Sequence, residues 1–257
     1  MMREIYKEIK FGVRNSRFLV LIIGFMFFAV LNPVMTKVVL PQVLASQFPG
    51  MTEQALSSMF DMSQLGSIRS YMGDVFEIGS IIVAFTLCGL IAQEIKDNTL
   101  VLPLCSGKRL NHIVGAKMLV FGTALVLITT LALIVDYVYA GLLFSFDIGF
   151  MPILRAGLLQ GLYMVFLLAC VMVWGAILKS PIAAGLSALA SVYGLQFVSS
   201  LLNIQGYLPP ALLAEAQALS AVASPSLTAS ILSTGLIIAG CLAITLLRLN
   251  NMEWNLR

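Results

Sequence analysis

The sequence predicts an all-α membrane protein with six transmembrane helices, and three observations predict it. The first is composition: 257 residues that are 60% hydrophobic and 11% charged, with a mean hydropathy of +0.98, against about 45–50% apolar and about 25% charged in a soluble domain. Fifteen Lys and Arg with twelve Asp and Glu are too few to coat a soluble fold of this size. The second is six separate apolar runs, each close to the roughly 20 residues that a bilayer-crossing helix needs. The third is an uneven distribution of basic residues among the connecting segments.

The runs fall at 18–36, 75–92, 116–140, 152–178, 181–203 and 227–247, within a single transmembrane domain covering 1–257. They are continuous rather than alternating, which selects helices over barrel strands. The first is longer than the apolar core of a signal peptide, so it reads as an uncleaved span, with Pro33 kinking it or marking its outer end.

Orientation follows from the positive residues. Arg3, Lys7, Lys10, Arg14 and Arg17 precede the first span; Lys96, Lys108, Arg109 and Lys117 lie between the second and third; Lys179 lies between the fourth and fifth; Arg248 and Arg257 follow the sixth. Twelve of the fifteen thus share one side, and only Lys37, Arg69 and Arg155 fall on the other. Both termini are expected in the cytoplasm, and the location expected is a bacterial cytoplasmic (inner) membrane.

Before the first span, Ile5, Tyr6, Ile9 and Val13 recur at helical spacing, while Lys7, Lys10, Arg14 and Arg17 occupy other positions. This describes an amphipathic helix in the membrane interface, or a basic flank that only sets topology. Between the fifth and sixth spans, 205–226 holds no Lys or Arg and one acid, Glu215. Pro209-Pro210 reads there as a helix start before an alanine-rich stretch. The segment is too apolar for an ordinary loop and too short for two spans, so a re-entrant hairpin is expected, with a plain surface helix as the alternative.

The link 93–113 between the second and third spans mixes charges with apolar residues and is too long for a tight turn. It is expected to form a short helix and then a loop presenting Ser106 to Arg109. Here the chain resembles the permeases of the ABC-2 class of ATP-binding-cassette exporters, through Glu94, Thr99-Leu100, Leu104-Cys105-Ser106, Arg109 and Gly115-Ala116-Lys117. Asn98 and Gly107 stand where that family usually carries Gly and Pro. The resemblance implies that the link is a coupling helix docking into an ATPase subunit. Glu94, Thr99, Leu100, Ser106, Lys108, Arg109 and Lys117 are then the ATPase-coupling residues. It also implies two permease chains, identical or related, with two cytoplasmic ATPases that bind ATP and Mg. The chain also looks similar to small bacterial permeases that export amphipathic peptides, including phenol-soluble modulins.

Several chemistries find no residues to carry them. Gly107-Lys108 is the only Gly-Lys pair, and it lacks the upstream glycine and following Ser or Thr of a P-loop, so ATP hydrolysis is expected in a separate chain. His112 is the sole histidine, which removes multi-histidine metal sites, and there is no Gly-x-Ser-x-Gly elbow. Cys88, Cys105, Cys170 and Cys241 stand singly and read as small hydrophobes. No basic stripe suggests nucleic acid. The chain is expected to be no enzyme and to hold no cofactor.

Ionisable residues at membrane depth are functional candidates because burying them is costly. Asp136 lies far enough along the third span to approach the outer interface, leaving an interfacial role and a substrate-path or interhelical role both open. Glu77, near the expected outer start of the second span, and Glu215 are further candidates for the substrate path. Few intramembrane charges suggest an amphipathic or lipophilic cargo of the peptide-toxin or antibiotic kind. A secondary transporter or channel independent of an ATPase is the alternative, against which stands the lack of paired broken helices or inverted repeats. Gly157 with Gly161, and Ala190 with Gly194, are small-residue pairs suited to close helix packing within the bundle or at a dimer seam.

Overall fold

The computed structural model describes residues 2–47, 61–100, 105, 107, 109–202, 204–219 and 226–252. All regular structure among them is helical. Six helices are long and apolar enough to cross a membrane: Arg17–Val43, Gln64–Lys96, Leu110–Leu143, Phe150–Leu178, Pro181–Leu201 and Leu227–Asn250. The chain is therefore a multi-pass membrane protein. Exposed Leu19, Ile23, Phe27, Leu127, Leu131, Leu186, Leu232 and Leu236 give it an apolar outer wall suited to lipid.

The first span packs on the second and third, the third on the fourth, and the fourth on the fifth, while the sixth packs on the fourth rather than on the fifth. Phe25 lies near Gly79, and Asn32 donates from Nδ2 to Asp74 Oδ2 at 2.9 Å, joining the first and second spans. Ser70 Oγ completes that clasp by donating to Asn32 Oδ1 at 3.1 Å. Gln64 donates from Nε2 to the Tyr137 carbonyl at 3.2 Å and accepts from the Asp147 amide at 3.0 Å, tying the second span to the third and to its exit loop.

The fourth span is the axis of the bundle, buried over 72% of its most apolar window, whereas the sixth is buried over only 17%. Close approach at this axis depends on glycine. A Cβ on Gly157 would stand 3.0 Å from Thr130 Cα, and one on Gly161 would stand 2.9 Å from Val126 Cα. That pair therefore packs the fourth span on the third, inside one chain. Ala190 and Gly194 lie on an open face, and nothing meets a Cβ at Gly194.

Two spans depart from plain α-helix. The first carries Pro33, which cannot donate to the preceding turn, and a wider π-helical turn follows at Met35–Val39. The second begins at Gln64 rather than near residue 75, so Glu77 lies inside the helix, on a π-helical turn at Val75–Gly79. Ser63 caps its start, accepting from the Gly66 amide at 3.2 Å.

The helix Met2–Arg14 precedes the first span, with Ser16 at a positive φ of 55° making the corner between them. Beyond the fifth span, a 3-10 turn at Gln205–Tyr207 leads into the helix Pro210–Ala218. Pro210, Ala211, Leu212, Leu213 and Ala216 are its buried face, packed on the fourth and sixth spans. Residues 220–225, where a returning arm of the expected hairpin would fall, lie outside the described residues.

Candidate functional site at the basic end of the bundle

The end of the bundle richest in Lys and Arg carries a buried ionic cluster beneath an exposed link. The second span ends in a turn at Cys88–Ile91 followed by the short helix Ala92–Lys96. A Cβ on Gly175 would come within 3.3 Å of the Ala92 nitrogen, so the fourth span seats that short helix closely.

Asn98 closes this short helix with a positive φ of 53°. That left-handed region favours glycine and then asparagine, so Asn98 suits the corner. The Thr99 amide donates to the Glu94 carbonyl at 3.0 Å, and its Oγ1 donates to the same oxygen at 3.3 Å. The orphan carbonyls of the helix end are thereby used, and the chain turns so that Leu100 is buried while Lys96, Asp97, Asn98 and Thr99 remain exposed.

Across the link, Arg109 is exposed at the extended residue that begins the third span, beside exposed Asn111 and His112. Cys105 is exposed, and Gly107 sits at a φ of 78°, a conformation that proline cannot adopt. Ser106 and Lys108 lie outside the described residues.

Below this surface, Lys117 extends from the third span with its side chain 1% exposed. Its Nζ donates to Glu8 Oε2 at 2.9 Å and to Glu94 Oε1 at 2.8 Å. Arg17, over the Phe11 ring at 4.7 Å, lies within electrostatic reach of both acids. Two acids and two bases thus share one compact region, so their net charge is balanced, as burial requires. Arg17 Nη1 and Glu94 Oε2 remain buried without hydrogen-bond partners. The cluster joins the amino-terminal helix, the end of the second span and the start of the third.

This arrangement fixes which face the amino-terminal helix turns inward. Glu4, Glu8 and Gly12 are buried, while Arg3, Lys7, Lys10 and Arg14 are exposed together with Tyr6, Ile9 and Val13. The acids are sequestered against the protein and the outward surface is basic and apolar, the combination suited to a membrane interface. Apolar periodicity alone could not assign Glu8 to Lys117; the visible clue was two acids one helical turn apart in an otherwise basic helix.

Of the ATPase-coupling residues expected from sequence, Thr99 and Arg109 are exposed on the link. Glu94, Leu100 and Lys117 lie beneath it and can act only by holding it in place.

The acids expected on a substrate path are scattered through the half of the bundle opposite the basic end. Asp136 is fully buried, about two turns before the third span ends at Leu143, and about 28 Å along the axis from Lys117. Neither of its carboxyl oxygens has a hydrogen-bond partner, and the Tyr71 hydroxyl, within electrostatic reach, has none either. Glu215 pairs with Arg155 at 3.4 Å, linking the helix Pro210–Ala218 to the fourth span. Glu77 is exposed. Among the described residues, no group of three His, Cys, Asp or Glu converges to hold a metal ion.

No family model, curated protein or solved structure matches the chain.

Proposed function

We propose that this chain is the permease subunit of an ATP-driven ABC-2 type exporter, working as a pair with two cytoplasmic ATPase subunits. The observation that carries the reading is the exposed link with Thr99 and Arg109, braced from below by Glu8, Lys117 and Glu94. A docking surface that transmits force needs such a rigid base, because a loose link would absorb the push. Glu94 binds Lys117 through one oxygen while its other oxygen and Arg17 Nη1 stay unpaired, leaving the cluster an alternative pairing when the link moves.

In this reading the termini and the link face the cytosol of a bacterial cell, in keeping with twelve of fifteen Lys and Arg on that side. The helix Pro210–Ala218 then belongs to a re-entrant hairpin at the outer mouth. ATP binding draws the two ATPases together, the links are pushed, and an amphipathic or lipophilic cargo leaves between the two bundles. Copurification of a P-loop ATPase tests this. Wild type retains the ATPase, and a variant with Thr99→Glu and Arg109→Glu loses it; equal retention overturns the docking assignment.

A second reading, ion-coupled transport without an ATPase, is favoured by one observation: the partnerless carboxyl of Asp136 at membrane depth. Uptake into vesicles driven by an ion gradient, with no ATPase present and abolished by Asp136→Asn, selects it over the first.

A further inference from the structure

The amino-terminal helix Met2–Arg14 presents three faces, not two. Glu4, Glu8 and Gly12 form the face buried against the bundle, and Met2, Tyr6, Ile9 and Val13 form an exposed apolar stripe. Arg3, Lys7, Lys10 and Arg14 form a third stripe, also exposed. At about 100° per residue, each exposed stripe lies roughly 130° from the buried face, and the two lie roughly 100° from one another. Both acids of this helix are on its buried face, so none of its own residues offsets the four positive charges turned outward.

The connection to the first span sets the level of this helix. Asn15 and Ser16 alone separate it from that span, whose exposed Leu19 and Val20 begin the apolar wall. The Glu8 and Lys117 pair clamps it there, against the start of the third span. The helix therefore lies at the rim of the apolar wall, with Tyr6 71% and Val13 66% exposed. With its apolar stripe among acyl chains, a turn of roughly 100° brings the basic stripe level with the headgroups, on the side away from the protein. The four basic side chains are spread along about 16 Å of helix, which fits a row of phosphates rather than one.

We infer that this outward surface binds a leaflet of anionic phospholipid, its apolar stripe among the acyl chains and its basic stripe on the phosphates. A basic face meant only for water would stand opposite the apolar stripe; this one stands beside it, where the phosphates are. Each Lys or Arg near an anionic membrane surface strengthens binding by roughly fivefold, and salt screens the attraction. The inference goes beyond the exporter reading and does not depend on it, because it needs neither an ATPase nor a cargo.

The full chain is purified in detergent and loaded with equal amounts of phosphatidylglycerol and phosphatidylcholine, and the lipid it retains is quantified by mass spectrometry. Wild type is expected to hold phosphatidylglycerol in about tenfold excess or more, and to lose most of that excess in about 1 M salt. Lys7→Gln with Lys10→Gln and Arg14→Gln lowers the excess at least about fivefold, whereas Lys7→Arg with Lys10→Arg and Arg14→Lys keeps it. Lys179→Gln with Arg248→Gln removes exposed charge at the same end of the bundle but off this helix, and leaves the excess unchanged. Tyr6→Ser with Ile9→Ser lowers retention of both lipids alike. Equal retention of the two lipids by wild type, an excess that persists in about 1 M salt, or one unchanged in the triple glutamine variant overturns the inference. So does loss of ATPase copurification in that variant with the lipid excess intact, which would give the surface to a protein partner. An ATPase absent from the wild-type preparation, with the excess present, would sink the exporter reading and leave this surface standing.

Discussion

The ammonium of Lys117 lies 2.9 Å from the Glu8 carboxylate, across 109 positions of sequence, with both side chains almost fully removed from solvent. A buried pair of this kind adds little net stability, but removing one partner strands the other, at a cost of about 3–5 kcal/mol. Lys117→Met is expected to lower the melting temperature in detergent strongly and to reduce accumulation. The double variant Lys117→Met with Glu8→Gln, which leaves Glu94 to balance Arg17, is expected to recover most of the loss. Recovery of stability without recovery of ATPase-driven transport would identify the cluster as a transmitting element rather than a structural one.

The left-handed residue of the link provides a second test. Asn98→Gly is expected to be neutral or slightly stabilising, because φ of 53° suits glycine. Asn98→Val places a branched side chain there, at a cost of about 1–2 kcal/mol. Limited proteolysis should cut the Asn98→Val link faster while the spans stay protected, and ATPase copurification should fall with it.

The small-residue pairs on the fourth and fifth spans separate packing from open surface. Gly161→Leu drives a side chain into Val126 and Thr129 and is expected to cost about 1–3 kcal/mol by thermal melting in detergent. Gly194→Leu enters open space and is expected to leave the monomer's melting temperature unchanged. If light scattering shows that Gly194→Leu weakens chain pairing, the open face of the fifth span lies in the seam.

Asp136 has no hydrogen-bond partner on either oxygen, so its burial is a cost that the fold bears. Asp136→Leu should therefore melt no lower than wild type, and higher by up to about 1–3 kcal/mol. Lost transport in a more stable protein would mark the residue as retained for function. Unchanged transport would remove it from the pathway.

Much of the fold was legible because bilayer-crossing helices announce themselves by length and apolarity. The start of the second span was not. Residues 64–74 include Ser67, Arg69, Ser70, Gly73 and Asp74, which dilute hydropathy, and they are helical because Tyr71, Ile68 and Met72 are buried in the bundle and Asn32 clasps Asp74 and Ser70. That is a tertiary cause, invisible to a window along the chain. That residues 2–14 form a helix was legible from the spacing of Ile5, Tyr6, Ile9 and Val13, but its facing was decided by Glu8 finding Lys117. Asp136 was placed near the outer boundary from its rise along the helix; its complete burial there depends on packing around the third span that no single segment encodes.

An ATPase can push the link between the second and third spans only if that link faces the cytosol, and the chain carries a native probe of its facing. Cys105 is exposed on that link, whereas Cys88, Cys170 and Cys241 lie within spans. In a variant with those three replaced by serine, a membrane-impermeant maleimide should leave Cys105 unlabelled on intact cells and label it fully once the cells are permeabilised. Equal labelling before and after permeabilisation would put the link outside the cell, beyond the reach of any cytoplasmic motor, and would contradict the account.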